Sequence, residues 1–203
     1  STPKPSSAAS DVYKRQITYY LFHNAGGKIL EQKIIDSAIK LIQQYGIKFT
    51  LDDIAAGAKI SKKTIYKFFG SKEDLINGVI DYIFADIHAQ HKAILNEDIP
   101  NIEKLIKIVS AYPQVIHFDS IKLDKLIELH PDIYKRIDNQ FHANWDLTLS
   151  LYDKCVNEGS IKPIDREYFR LILLGIFDQA IHLEEHEKAT TECIKAVIYG
   201  FAK

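Results

Sequence analysis

Three hydroxyl side chains, Thr50, Ser61 and Ser71, stand ten or eleven residues apart, each ahead of a helically patterned stretch, so no helix between residues 50 and 71 can exceed about two turns. Thr50 with Asp53 resembles a capping box, Asp standing in for the usual Glu, and Ser71 with Asp74 repeats the pattern. The spacing predicts a helix from about Leu51 to Ala58, a tight connection Ala58-Lys59-Ile60-Ser61, and a helix Lys62 to Phe69 that ends at Gly70. A longer helix then carries the stripe Leu75, Ile76, Val79, Ile80, Ile83, Phe84 and Ile87. Upstream, Ile34, Ala38, Leu41, Ile42 and Tyr45 recur at spacings of three and four from Glu31 to Tyr45, and Gly46 supplies the stop. Two short helices joined by four residues have the length and order of a helix-turn-helix, whose second helix enters the DNA major groove.

The remainder is patterned the same way, with no apolar/polar alternation between hairpin turns. Helices are predicted at Ile102 to Val115, around Leu123 to Leu129, from Pro131 to about Val156, from Asp165 to about Glu184, and from Thr190 to Phe201. The expected fold is all-α: a three-helix helix-turn-helix domain over 30–75, joined by a long helix to a helical effector-binding and dimerisation domain over 76–203. Residues 1–29 are expected to be a non-native extension. Ser6 to Gln16 resembles a translated transposase-type sequencing adapter, and Ala25 to Leu30 back-translates to a ribosome-binding sequence before a TTG codon, placing the expected start at Leu30. The absence of Met fits that reading. The chain has no apolar run of about 18 residues and no signal-peptide pattern, so a cytoplasmic protein away from the membrane is expected. Cys155 and Cys193 form no C-x-x-C pair and are expected to be buried reduced thiols.

The net charge of −1 conceals an asymmetry. Lys59, Lys62, Lys63, Lys67 and Lys72 fall within fourteen residues that hold no acid, while from Ile76 onward 14 Lys and Arg face 20 Asp and Glu. One basic segment on an acidic body suits a local contact with a polyanion. Lys62, Lys63 and Thr64 occupy the first turn of the third predicted helix, where unpaired N–H groups favour a phosphate. Tyr66 and Lys67 extend that face, and Ile65, Phe68 and Phe69 can pack inward.

From Thr50 to Leu75 the chain resembles the TetR family of transcriptional regulators. Ile54, Ala55, Ala58, Ile60, Ser61, Thr64, Ile65, Tyr66, Phe69, Ser71, Lys72, Glu73 and Leu75 fall on that family's pattern. The resemblance implies phosphate contacts by Thr50, Tyr66, Lys67 and Lys72, and base reading by Lys62, Lys63 and Thr64. Three departures stand out. Lys59 occupies a position where the family usually has a turn glycine, Phe68 replaces the commoner His, and no Arg lies between Glu31 and Leu75, so the bidentate Arg-to-guanine contact is unavailable.

The helix from Asp165 is apolar nearly all round, which requires two buried faces. A second copy of the chain is the economical partner, with Phe169, Ile172, Leu173, Ile176, Phe177 and Ala180 meeting Ile194, Val197, Ile198 and Phe201 of the last helix in a four-helix homodimer interface, as TetR-like proteins dimerise; the competing reading is a helix fully internal to a monomer. Tyr112, His117, Phe141, His142 and Trp145, with Phe118 and Tyr152, place aromatic and titratable groups where the resemblance implies a small-molecule effector. His182-Leu183-Glu184-Glu185-His186 matches an inverted zinc-peptidase pattern, but its acidic flanks and the lack of a third ligand favour a solvated helix end. His88 and His91 are read as surface residues. No cofactor, metal or enzymatic activity is expected. The expected function is a ligand-responsive repressor that binds a pseudo-palindromic double-stranded operator as a homodimer, the alternative being a DNA-bound structural or protein-interaction factor without an effector.

Overall fold

The computed structural model describes residues 25–115, 128, 130–143, 145–180, 183 and 185–202. Among these the chain is helical, without strands; one isolated antiparallel bridge joins Ile161 to Ala202. The elements are α1 (Ala25–Tyr45), a 3₁₀ turn (Gly46–Lys48), α2 (Leu51–Ala58), α3 (Lys62–Phe68), α4 (Lys72–Leu95), α5 (Asn101–Val109), α6 (Pro131–Ala143), α7 (Trp145–Asn157), α8 (Arg166–Ala180) and α9 (His186–Gly200).

Local caps set α2 and α3 where the sequence predicts them. Helix α1 begins six residues before the predicted Glu31. Helix α5 stops at Val109 instead of Val115, because Pro113 disfavours helical geometry at Tyr112 and the chain leaves the helix through Ser110. The stretch predicted as one helix from Pro131 is described as α6 and α7, either side of residue 144. Helix α8 ends at Ala180, short of Glu184, with Leu183 N–H donating back to the Ala180 carbonyl. Helix α9 starts at His186, four residues before the predicted Thr190. The helix expected at Leu123 to Leu129 lies outside the described residues except Glu128, which is helical.

Two apolar clusters form, and α4 runs past both. The first gathers Ile34 and Ala38 of α1, Ile54 of α2, Ile65 of α3 and Leu75 of α4, all fully buried, with the whole predicted α4 stripe. The second gathers Leu105 of α5, Leu151, Tyr152 and Cys155 of α7, Phe169 and Leu173 of α8, and Ile194 and Ile198 of α9; Ile94 and Leu95 at the end of α4 pack against it. Tyr152 is a core residue: its ring stacks on Phe169 with centroids 4.2 Å apart, and its hydroxyl both accepts from Ile164 N–H (2.8 Å) and donates to Ile164 C=O (2.9 Å). With both hydrogen-bonding capacities spent on one backbone residue, it pins the connection between α7 and α8 rather than facing a ligand.

Three smaller expectations change. Cys155 is buried, and burial pushes its thiol up to about 11, but Cys193 is exposed because α9 turns Thr190 and Ile194 inward instead. His186 lies on that inward face too, so it is buried rather than solvated, its ring 5.9 Å from that of Tyr112. His182 and Glu184 lie outside the described residues, among which no cluster of three metal-ligating side chains occurs.

His88 is exposed as expected, whereas His91 is part-buried and its Nε2–H donates to the Ile108 carbonyl at 3.1 Å, linking α4 to α5. Burial holds the His91 pKa below the ordinary value, and His88 nearby adds repulsion. A depressed folded-state pKa means the unfolded chain takes up the proton first. The stabilisation is therefore complete above the unfolded value of about 6.5 and is lost as pH falls through it. Denaturant unfolding of wild type is expected to weaken between about pH 7 and 5 more than that of His91→Gln; equal weakening would show that another group governs acid sensitivity.

Candidate nucleic-acid interface

Thr50 opens α2 with a reciprocal capping box: its hydroxyl accepts from Asp53 N–H at 3.2 Å and donates to the Asp53 carboxylate at 2.7 Å, while Thr50 N–H donates to the same carboxylate at 2.7 Å. These bonds hold the Asp53 pKa below its usual value. At the other end Lys59 adopts φ 55°, ψ 46°, the sole non-glycine residue with positive φ among those described. A side chain thus occupies the left-handed turn position that resemblance assigns to glycine, and the reversal into α3 bears the steric cost.

Ser61 caps α3, accepting from Thr64 N–H at 3.1 Å, with the two hydroxyls 2.8 Å apart. A seven-residue helix is unstable alone. Ile65 is fully buried, Phe69 nearly so, and Phe68 packs against the same cluster. Two glycines permit close packing in this cluster, Gly57 where α2 meets α1 and Gly78 where α4 meets Phe69. A Cβ on Gly57 would lie 2.5 Å from the Ser37 hydroxyl, and one on Gly78 would lie 2.7 Å from the Phe69 ring. With one side of α3 so anchored, Lys62, Lys63, Tyr66 and Lys67 are left exposed together on the other.

Not every predicted contact is equally free. The hydroxyls of Thr50 and Thr64 are engaged in caps. The Lys72 ammonium donates to the Ile47 carbonyl at 2.6 Å and sits 4.6 Å from the centre of the Phe49 ring, and burial lowers its pKa. It clamps the start of α4 to the turn after α1 with one of its three donors. Lys62 donates to the Asp52 carboxylate at 2.9 Å, which raises the Lys62 pKa. Asp52 and Ile47 were not singled out from sequence, because separations of 10 and 25 residues carry no helical period.

The ten residues expected at an interface between copies divide sharply. Phe169, Leu173, Ala180, Ile194 and Ile198 are buried within the protomer; Ile176, Phe177, Val197 and Phe201 are half-buried; Ile172 is exposed. The outward face of α8 is instead Tyr168, Ile172, Gly175 and Gln179 with Leu171 beside them, and that of α9 is Cys193, Ala196 and Gly200 with Tyr199. Each stripe repeats at spacings of three and four, a quarter-turn from the buried stripe of its own helix.

The residues expected at an effector site lie in different settings. Tyr112 lines a cleft of about 460 Å³ between α4, α5 and α9, its hydroxyl donating to Thr190 at 2.7 Å. Phe141 of α6 lies between Phe84 of α4 and Phe177 of α8, centroids 5.3 and 6.3 Å away. The Trp145 indole N–H is buried with no hydrogen-bond partner among the described residues. His117, Phe118 and the side chain of His142 lie outside the described residues. A second cleft, of about 540 Å³ between α4 and α6, holds none of these residues; it is lined by Arg136, whose guanidinium also pairs with Asp81 of α4 at 2.7 Å.

Residues 34–79 match the family model of the bacterial regulatory proteins of the tetR family. The HTH-type transcriptional regulator YvaF of Bacillus subtilis is 25% identical over 174 residues, 83% of this chain and 92% of that protein. A TetR transcription regulator from Haloarcula marismortui superposes with a TM-score of 0.71 at 15% identity, covering 87% of this chain and all of that one. FadR of Bacillus subtilis, solved in complex with stearoyl-CoA, superposes with a TM-score of 0.59 at 17% identity, covering 83% of this chain and 98% of its own. In residues 34–79 the chain thus matches the helix-turn-helix of the tetR family of bacterial regulatory proteins, and in the order of its helices it has the fold of solved TetR regulators.

Proposed function

We propose that the protein is a homodimeric, ligand-responsive repressor that reads a pseudo-palindromic operator with α3 in the major groove. The observation that carries the reading is the exposed face Lys62, Lys63, Tyr66 and Lys67 on a helix whose opposite side is locked into the core by Ile65 and Phe69. Two such helices about 34–36 Å apart would meet successive major grooves. Repression is the commonest role in the family resembled. FadR's complex with stearoyl-CoA supports an effector, as does the aromatic run Phe84, Phe141 and Phe177, which joins the body to α4.

The test is binding to a duplex that the protein selects from a random-sequence pool, measured across a salt series beside Lys62→Ala/Lys63→Ala. Wild type is expected to bind selectively, and the variant to lose about 10²-fold and most of its selectivity. Equally weak, non-selective binding by both would sink the reading. The dimer has its own check in thiol chemistry. Cys155 is expected to resist alkylation until unfolding, whereas the rate at Cys193, on the outward face of α9, should fall as protein concentration rises and that face is covered. A concentration-independent rate at Cys193 would place any dimer contact elsewhere.

A further inference from the structure

Helix α2 opens with adjacent acids of different use. Asp53 is spent in the capping box, but Asp52 takes no part in it, and its carboxylate reaches across the turn to Lys62 Nζ at 2.9 Å. Their side chains are 72% and 45% exposed, and an ion pair this wet adds little to stability. Its place on the surface that meets DNA is the feature needing a cause, since an acid there opposes the approach of phosphate.

We propose that Asp52 is a specificity-determining residue that bars Lys62 from the phosphate backbone and reserves it for base edges; the proposal rests on the DNA-binding reading above. An ammonium has three donors, so Lys62 can keep Asp52 and still donate to a second acceptor. Asp52 repels a phosphate carrying a full negative charge far more than the neutral N7 and O6 acceptors of guanine. Random DNA, which offers chiefly phosphates, then gains little from Lys62, and a site with a guanine in register gains more. The rest of the basic segment fits this division. Lys72 is bonded inward, while Lys59 and Lys67 are exposed and have no acidic partner among the described residues, so they supply the backbone attraction that Lys62 does not.

Asp52→Asn keeps the shape and removes the charge. Binding to a random-sequence duplex and to the selected duplex is measured across salt for wild type, Asp52→Asn, Lys62→Ala and the double variant. Asp52→Asn is expected to bind random DNA more tightly at low salt, with a salt slope steeper by about one contact, so that its affinity falls about threefold more than wild type's between roughly 50 and 200 mM salt. Its preference for the selected duplex should fall by a similar factor, and the double variant should match Lys62→Ala. The same change in both backgrounds would make Asp52 a general surface charge and overturn the proposal, as would no change in either. A wild type without selective, salt-sensitive binding would instead defeat the DNA-binding reading itself. Thermal unfolding run in parallel checks that the fold is kept, and Asp52→Ser, also suited to the first turn of a helix, carries the same test should the Asn variant unfold.

Discussion

Gly175→Arg is expected to leave each protomer folded and to weaken operator binding by about 10²- to 10⁴-fold, the avidity lost when two linked half-site contacts become separate events. Gly175 lies where a larger side chain meets a partner and not its own protomer. It sits on the outward stripe of α8, and a Cβ built there meets nothing within 4 Å. Within one protomer the substitution gains helix propensity, about 1 kcal/mol, and meets no clash. Against a second copy it would drive a charged side chain into a contact whose exposed members are Tyr168, Leu171, Ile172 and Tyr199. Sedimentation should show monomers with undiminished helicity. A variant that stays dimeric and keeps its operator affinity would move the interface off α8.

Ile65→Ala is expected to have the largest effect on folding, about 2–5 kcal/mol for the loss of a fully buried isoleucine side chain. Ile65 is the one residue classed as buried within the seven of α3. The short helix has little intrinsic stability to set against the loss, so its position depends on that side chain together with Phe68 and Phe69. Because the N-terminal and C-terminal apolar clusters are distinct, the expected result is a two-step thermal transition: early loss of the DNA-binding domain, with α5 and α7–α9 melting near their wild-type temperature. DNA binding should vanish before the helical signal does. A single cooperative transition shifted downward would show instead that α4, which contributes to both clusters, couples them into one unit.

That α3 is short, begins at Ser61 and turns Ile65 inward is readable from consecutive residues, because a cap acts over three residues and an amphipathic stripe repeats over three or four. The left-handed geometry of Lys59 was implied instead by the resemblance, which has a turn glycine at that position. Even α4, 24 residues long, buries the stripe read from its periodicity.

Helix α8 shows where such reading stops. An all-round apolar pattern announces two buried faces without saying which one belongs to the protomer, so Phe169 and Leu173 could be assigned to a partner although they form part of the protomer's own core. The same limit applies to Lys72, whose charge suggested a phosphate and whose ammonium the fold directs to the Ile47 carbonyl. The sequence by itself determined the helical class, the boundaries of the helix-turn-helix and the basic face of α3, because each depends on interactions within a few residues. Only the tertiary structure decided that Asp52 holds Lys62, that Lys72 is a clamp, and which stripes of α8 and α9 remain open. Those outcomes depend on which distant backbone or carboxylate arrives within about 3 Å, and no local period in a chain encodes that.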